Sequence, residues 1–122
     1  MITFEELGVA PQYLRAIEEL GFETPMPVQE KVIPLLLAEK TDLVVLAQTG
    51  TGKTAAFGLP LIELVDFDKP VSQALVLAPT RELCVQISKD LLTYSKFYSG
   101  ANIVAVYGGA SIDTQIRQIK RG

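Results

Sequence analysis

Apolar and polar positions follow two rhythms along this chain. From Pro11 to Leu20, Tyr13, Leu14, Ile17 and Leu20 recur at helical spacing. Pro11 fits a first helical position, and Gly21 is placed to end the helix. In Thr24-Pro25-Met26-Pro27 two prolines bar continuation. Pro27 then opens a second helix carrying Val28, Val32 and Leu35 or Leu36, in which Pro34 predicts a kink or an early stop. Residues 53–65 read as a third helix, followed by a polar connection, 66–72, containing Pro70. Thr80 caps a long fourth helix whose Cys84, Ile87, Leu91, Tyr94 and Tyr98 form one stripe predicted to face a sheet. Ser111 starts a last helix with Ile112, Ile116 and Ile119.

The second rhythm is the short unbroken apolar run. Segments 42–46, 74–78 and 102–107 are continuous rather than alternating, the pattern of strands covered on both faces. Strands and helices take turns, which through right-handed crossovers predicts an α/β fold of three αβα layers, a parallel sheet with helices on both faces. In such sheets ligands bind beyond the carboxyl ends of the strands, where each run here is followed by a glycine- or threonine-containing loop. Residues 1–38 read as a helical region and 39–122 as the αβ core. No repeat, low-complexity segment or linker divides the chain.

Composition narrows the partners. With 122 residues, 48% hydrophobic and 20% charged, the chain can bury one core, so one domain or part of one is expected. Its apolar runs fall well short of the roughly 20 residues that cross a bilayer. Acidic Glu5 and Glu6 stand where a secretory signal carries basic residues, so the expectation is a soluble, cytoplasmic protein with no membrane partner. A net charge of −3 excludes a broad basic surface for nucleic acid. Without histidine, and with Cys84 alone, an internal disulfide and the usual Cys/His metal sites are excluded, and any metal must arrive with a ligand. Cys84 has no histidine to activate it and reads as a small core residue.

The chemistry concentrates in Ala47-Gln48-Thr49-Gly50-Thr51-Gly52-Lys53-Thr54. This run fits the P-loop template, with Ala47 in place of its first glycine and with the required strand before and helix after. Gly50 and Gly52 let successive N–H groups turn inward toward an anion, and the helix that follows presents its positive end to the same place. Lys53 adds a charge near the β- and γ-phosphates, and the Thr54 hydroxyl is suited to ligate Mg²⁺. The bland alternative is a glycine turn with an exposed lysine. The loop alone leaves ATPase, GTPase and kinase chemistry open.

Around the loop, Gly21-Phe22-Glu23-Thr24-Pro25-Met26-Pro27-Val28-Gln29 precedes it, with Phe4 isolated upstream. Ala78-Pro79-Thr80-Arg81-Glu82-Leu83 and Gly108-Gly109 follow. Together these resemble the Q motif, motif I, motif Ia and glycine doublet of the DEAD-box RNA helicases, over nearly the whole chain. Ala55-Ala56-Phe57 and Leu59-Pro60 continue the likeness. Met26, where the family has Ser or Thr, and Lys40-Thr41-Asp42, in place of a glycine-containing turn, depart from it.

The resemblance implies the front of a P-loop RecA-like domain that binds ATP or ADP with Mg²⁺. Gln29 would read the adenine edge, an amide–adenine pairing that is geometrically bidentate. Phe22 would lie against the adenine face, Thr24 would lend a backbone group, and Phe4 would support that wall. Gln48, Thr49, Gly50, Thr51, Gly52, Lys53 and Thr54 would hold the phosphates. Ordinary core packing is the alternative for both phenylalanines, and a solvated helix position for Gln29. Pro79, Thr80, Arg81, Gly108 and Gly109 would touch the RNA backbone, through contacts that need little net charge. Arg81 has an ion pair on the first helical turn as its alternative, and Lys120-Arg121 read as solvated surface.

The family's Asp-Glu-Ala-Asp box, its Ser-Ala-Thr motif and its second RecA-like domain do not occur in these residues. The expectation is a fragment of a helicase that couples ATP hydrolysis to RNA unwinding. The fragment would bind nucleotide, hydrolyse it poorly by itself, pair with the second RecA-like domain in the parent, and self-associate through an open sheet edge. A non-catalytic nucleotide-binding module is the rival from another class. A P-loop GTPase or kinase is the more distant one, against which Gln29 and Phe22 argue.

Overall fold

The computed structural model describes residues 1–39 and 41–122. Lys40, and with it the full Lys40-Thr41-Asp42 departure, lies outside the described residues. Among the described residues five helices form in the predicted order: α1 Pro11–Glu19, α2 Pro27–Ala38, α3 Lys53–Leu64, α4 Arg81–Tyr94 and α5 Ile112–Ile119. Pro11 and Pro27 stand at first helical positions, where a missing N–H leaves no bond unmade. Thr80 and Ser111 cap α4 and α5 by accepting from the N–H groups of Leu83 and Thr114. Pro34 does not stop its helix. α2 runs on to Ala38 and the Glu39 N–H still reaches the Leu35 carbonyl at 3.0 Å, so the proline removes one bond without ending the ladder.

The core gathers where these helices meet. α2 packs on α3, α3 on α4, and α1 on α4. Between them Ile17, Ile33 and Leu59 are fully buried beside Phe4, Tyr13, Ile62, Leu91 and Tyr94. Each fully buried aliphatic side chain is worth about 1.5–3 kcal/mol relative to exposure. Gly58 sets the approach of α4 to α3, because a Cβ there would stand 2.8 Å from Leu91 Cδ2. Of the predicted α4 stripe, Ile87, Leu91 and Tyr94 are buried and Cys84 is partly so. Tyr98 lies beyond the helix, where its ring meets Phe67 at 5.2 Å.

The predicted strands are the main departure. Among the described residues none of 42–46, 74–78 and 102–107 forms a strand, and no backbone ladder joins them. A strand exists through the hydrogen bonds of its neighbour. The second and third runs instead line a cleft of about 810 Å³ walled by Leu61, Ile62, Ile87 and Leu91 of α3 and α4, so space lies beside them where a partner belongs. Leu46, Leu75 and Leu77 are therefore largely exposed despite their buried-strand pattern. On α5, Ile112, Ile116 and Ile119 are exposed as well, and the buried side chain of that helix is Gln115.

Candidate functional site

The loop before α3 is shaped by its glycines. Gly50 and Gly52 have φ of 75° and 79°, the left-handed region that a side chain disfavours. At Gly52 space forbids a side chain too, since a Cβ would overlap the amide nitrogen of Gln29. The loop is tied to itself by two short bonds. Lys53 Nζ donates to the Ala47 carbonyl at 2.7 Å, and Thr51 Oγ1 donates to the Gln48 carbonyl at 2.6 Å. Gln48, Thr49, Gly50 and Lys53 are exposed, while Thr51, Gly52 and Thr54 are half-buried. The ammonium of Lys53 thus reaches back across the loop mouth, the place an anion would take from the carbonyl.

Gln29 joins this loop to the turn before α2. It is only 2% exposed, which removes the solvated-helix alternative. Its Oε1 accepts from the Met26 N–H at 2.9 Å and its Nε2 donates to the Gly52 carbonyl at 3.2 Å. A side-chain amide has two donor hydrogens and two acceptor lone pairs. One hydrogen and one lone pair of Gln29 therefore remain for a further partner. Met26, the departure from Ser or Thr, gives its backbone N–H to this link, and its sulfur lies against Gly52.

Beside the turn, Phe22 stacks on Phe4 with ring centroids 6.2 Å apart and tilts against Tyr94 at 6.4 Å. Phe4 is buried in the core and Phe22 half-buried, so both rings take part in packing and one face of Phe22 is left partly open. Burial pushes the Tyr94 phenol up to about 12, with Asp90 adding to the shift. Thr24 is exposed, with its side chain free to solvent.

The RNA candidates form a second group. Pro79, Thr80, Arg81, Gly108 and Gly109 are all exposed. The Thr80 hydroxyl is engaged as the α4 cap, accepting from Leu83 N–H at 3.2 Å. Arg81 makes no ion pair among the described residues. Its guanidinium lies over the Tyr107 ring at 4.7 Å and beside Gly109, whose added Cβ would sit 3.5 Å from it. The structure thus brings Arg81 and the glycine doublet together from separate parts of the sequence.

The sequence pattern singles out neither Glu63 nor Gln115. Glu63 of α3 accepts from the Ala10 N–H at the start of α1, and burial raises its carboxyl above 4.5, partly opposed by that bond. Gln115 is 8% exposed and holds both backbone groups of Tyr107, accepting from its N–H at 3.2 Å and donating to its carbonyl at 3.0 Å. A glutamine set within the Ile112, Ile116, Ile119 stripe was the available signal. Among the described residues no cluster of His, Cys, Asp or Glu could itself hold a metal ion, and no helix is long and apolar enough to cross a membrane.

The chain is similar to known proteins in sequence and in fold. The family model of the DEAD/DEAH box helicases matches residues 26–122. DEAD-box ATP-dependent RNA helicase CshA of Geobacillus kaustophilus is 47% identical over 121 residues, 99% of this chain and 26% of the relative. ATP-dependent RNA helicase DeaD of Escherichia coli is 47% identical over 120 residues, 98% of this chain and 19% of the relative. The chain thus spans about a quarter or less of the curated relatives it matches. Among solved structures, a DEAD box protein from Methanococcus jannaschii superposes with a TM-score of 0.90 at 39% identity, over 100% of this chain and 33% of its own. The helicase Prp28 from Chaetomium thermophilum bound to ADP gives 0.86 at 35%, over 100% and 30%. Saccharomyces cerevisiae Dbp5 bound to RNA and ADP BeF3 gives 0.74 at 40%, over 78% and 25%. The fold is RecA-like, and the chain belongs to the DEAD/DEAH box helicase family.

Proposed function

We propose that this chain is the nucleotide-binding front of an ATP-dependent RNA helicase, with an adenine-specific site formed by the P-loop and the turn before α2. The observation that carries the reading is the Gln29 bridge. A buried amide fixed between the Met26 N–H and the Gly52 carbonyl keeps one donor and one acceptor at the edge of the phosphate loop. That pair matches the donor–acceptor edge of adenine and not that of guanine. Phe22, backed by Phe4, supplies a flat face for the base, and Thr24 a backbone group.

The residues present fit a nucleotide with Mg²⁺. Gly50 and Gly52 give the loop its left-handed turns, Gln48, Thr49 and Thr51 complete it, and Lys53 stands at its mouth. Thr54, on the first turn of α3, would ligate the metal when the nucleotide brings it. Bound phosphate would take Lys53 Nζ from the Ala47 carbonyl, exchanging a neutral acceptor for a charged one. Lys53 and Thr54 are the groups of this chain nearest the reacting phosphate, and they orient it without supplying a base.

ATP or ADP is the small-molecule partner. RNA is the macromolecular one, reached through Pro79, Thr80, Arg81, Gly108 and Gly109. A second RecA-like domain would supply the remaining catalytic groups, ATP hydrolysis would drive RNA remodelling, and the cytoplasm is the compartment this reading fits. Alone, residues 1–122 would bind nucleotide and turn it over slowly, and the uncovered Val44, Leu46, Leu75 and Leu77 would favour self-association. Isothermal calorimetry with ADP and Mg²⁺ tests the site. Lys53→Ala should weaken binding at least tenfold, whereas equal affinity in the variant would remove the P-loop from nucleotide binding.

A further inference from the structure

We infer that Tyr107 and Gln115 are positioning residues of the RNA-contacting edge: Gln115 clamps the Tyr107 backbone, and the Tyr107 ring holds the Arg81 guanidinium beside Gly109. This rests on the reading of Arg81 and the glycine doublet as the RNA contact.

The chain of contacts begins in α5. Gln115 is the buried residue of that helix, and its amide takes both the N–H and the carbonyl of Tyr107, at 3.2 and 3.0 Å. Two antiparallel bonds to one peptide position fix it much as a neighbouring strand would, in a segment that has no ladder of its own. The residues so fixed lead directly into Gly108 and Gly109, the latter at a φ of 83°. A glycine turn with a defined entry presents its N–H groups in a set direction, which an unclamped loop would not.

The second link is the ring. Arg81 has no carboxylate partner among the described residues, so its charge is not neutralised. The face of Tyr107 lies 4.7 Å from the guanidinium carbon, and a ring face attracts a cation without supplying a counter-charge. Arg81 is thereby held against the doublet with its hydrogen-bond donors still available to a phosphate. An ion pair in the same place would have spent them. Holding a long side chain in advance lowers the ordering cost of binding.

Fluorescence anisotropy of a labelled oligouridylate with the 122-residue chain tests this through a double-mutant cycle. Arg81→Ala should weaken binding and lower the slope of log affinity against log salt by about 1. Tyr107→Leu keeps bulk but removes the ring face. It should weaken binding about 2- to 5-fold in the wild-type background and have no effect once Arg81 is alanine, while Tyr107→Phe should bind as wild type. Gln115→Met should show the same dependence on Arg81. A loss on Tyr107→Leu that is equal in both backgrounds would make the ring merely structural and overturn the inference. So would unchanged binding in Tyr107→Leu alongside a clear loss in Arg81→Ala, an outcome that leaves the RNA reading standing. Unchanged binding in Arg81→Ala, or no binding by the wild-type chain, would overturn the RNA reading and the inference with it. If Gln115→Met does not fold, the Tyr107 pair still decides.

Discussion

The helical side of this molecule and the side of its three apolar runs are built in opposite ways. Around residues 47–54, helices α1 to α4 close on each other, Leu59 and Ile33 are fully buried, and Gln29 stitches one loop to the next. In segments 42–46, 74–78 and 102–107 the residues are equally apolar, yet Leu46 is 93% and Leu77 84% exposed and no ladder forms. Apolar content alone therefore does not make a core. Helices satisfy their own backbones and need only a face to bury, whereas a strand depends on a neighbour for its hydrogen bonds.

Truncating one leucine on each side puts numbers on this contrast. Leu59→Ala should cost about 2–5 kcal/mol in denaturant unfolding, as a cavity inside the packed side. Leu77→Ala, the same chemical change on the open side, should stay within about 0.5 kcal/mol. Comparable losses in the two variants would mean that the open runs are packed in solution, by self-association or by a sheet that forms there.

Next in size is Gly52→Ala, which forces a side chain into the left-handed region and onto the Gln29 amide. Strain of this kind costs about 1–3 kcal/mol. Thermal unfolding should register it, and calorimetry should show weaker ADP binding than a Gly50→Ala variant, where no atom stands within 4 Å of the added carbon.

A smaller effect sharpens the account of how α1 is held to α3. The Glu63 carboxyl is raised above 4.5 mainly by burial, so the folded state keeps its proton more tightly than the unfolded chain does. That contribution is fully present below 4.5 and is lost as pH rises through the raised value. Glu63→Gln keeps an oxygen for the Ala10 N–H and removes the titration. Its melting temperature should vary less than that of wild type between about pH 4 and 7, with the variant gaining relative to wild type toward the upper end. A parallel pair of curves would assign no such role to Glu63.

What was legible in the sequence follows the same division. The helices were readable because proline, glycine and the capping residues Thr80 and Ser111 fix their ends locally, and the left-handed turns of 50–52 because the glycines that allow them stand in a contiguous pattern. The burial of Gln29 and its bond to Gly52 were not readable, since they depend on how α2 meets α3. Gln115 was hidden for a similar reason: a glutamine in an isoleucine stripe gains meaning only once Tyr107 lies against it. The pairing of the three apolar runs was not readable, because a continuous apolar run reports what a segment could bury, and not which neighbour completes its ladder.

The most direct test of the central claim is calorimetric comparison of ADP and GDP, each with Mg²⁺, on the wild-type chain and on Gln29→Ala. A site in which the P-loop holds phosphate and Gln29 reads the base predicts clear preference for ADP, falling in the variant by about tenfold as a bond to each of two partners is lost. Equal binding of both nucleotides by the wild-type chain, or a preference untouched by the substitution, would contradict it.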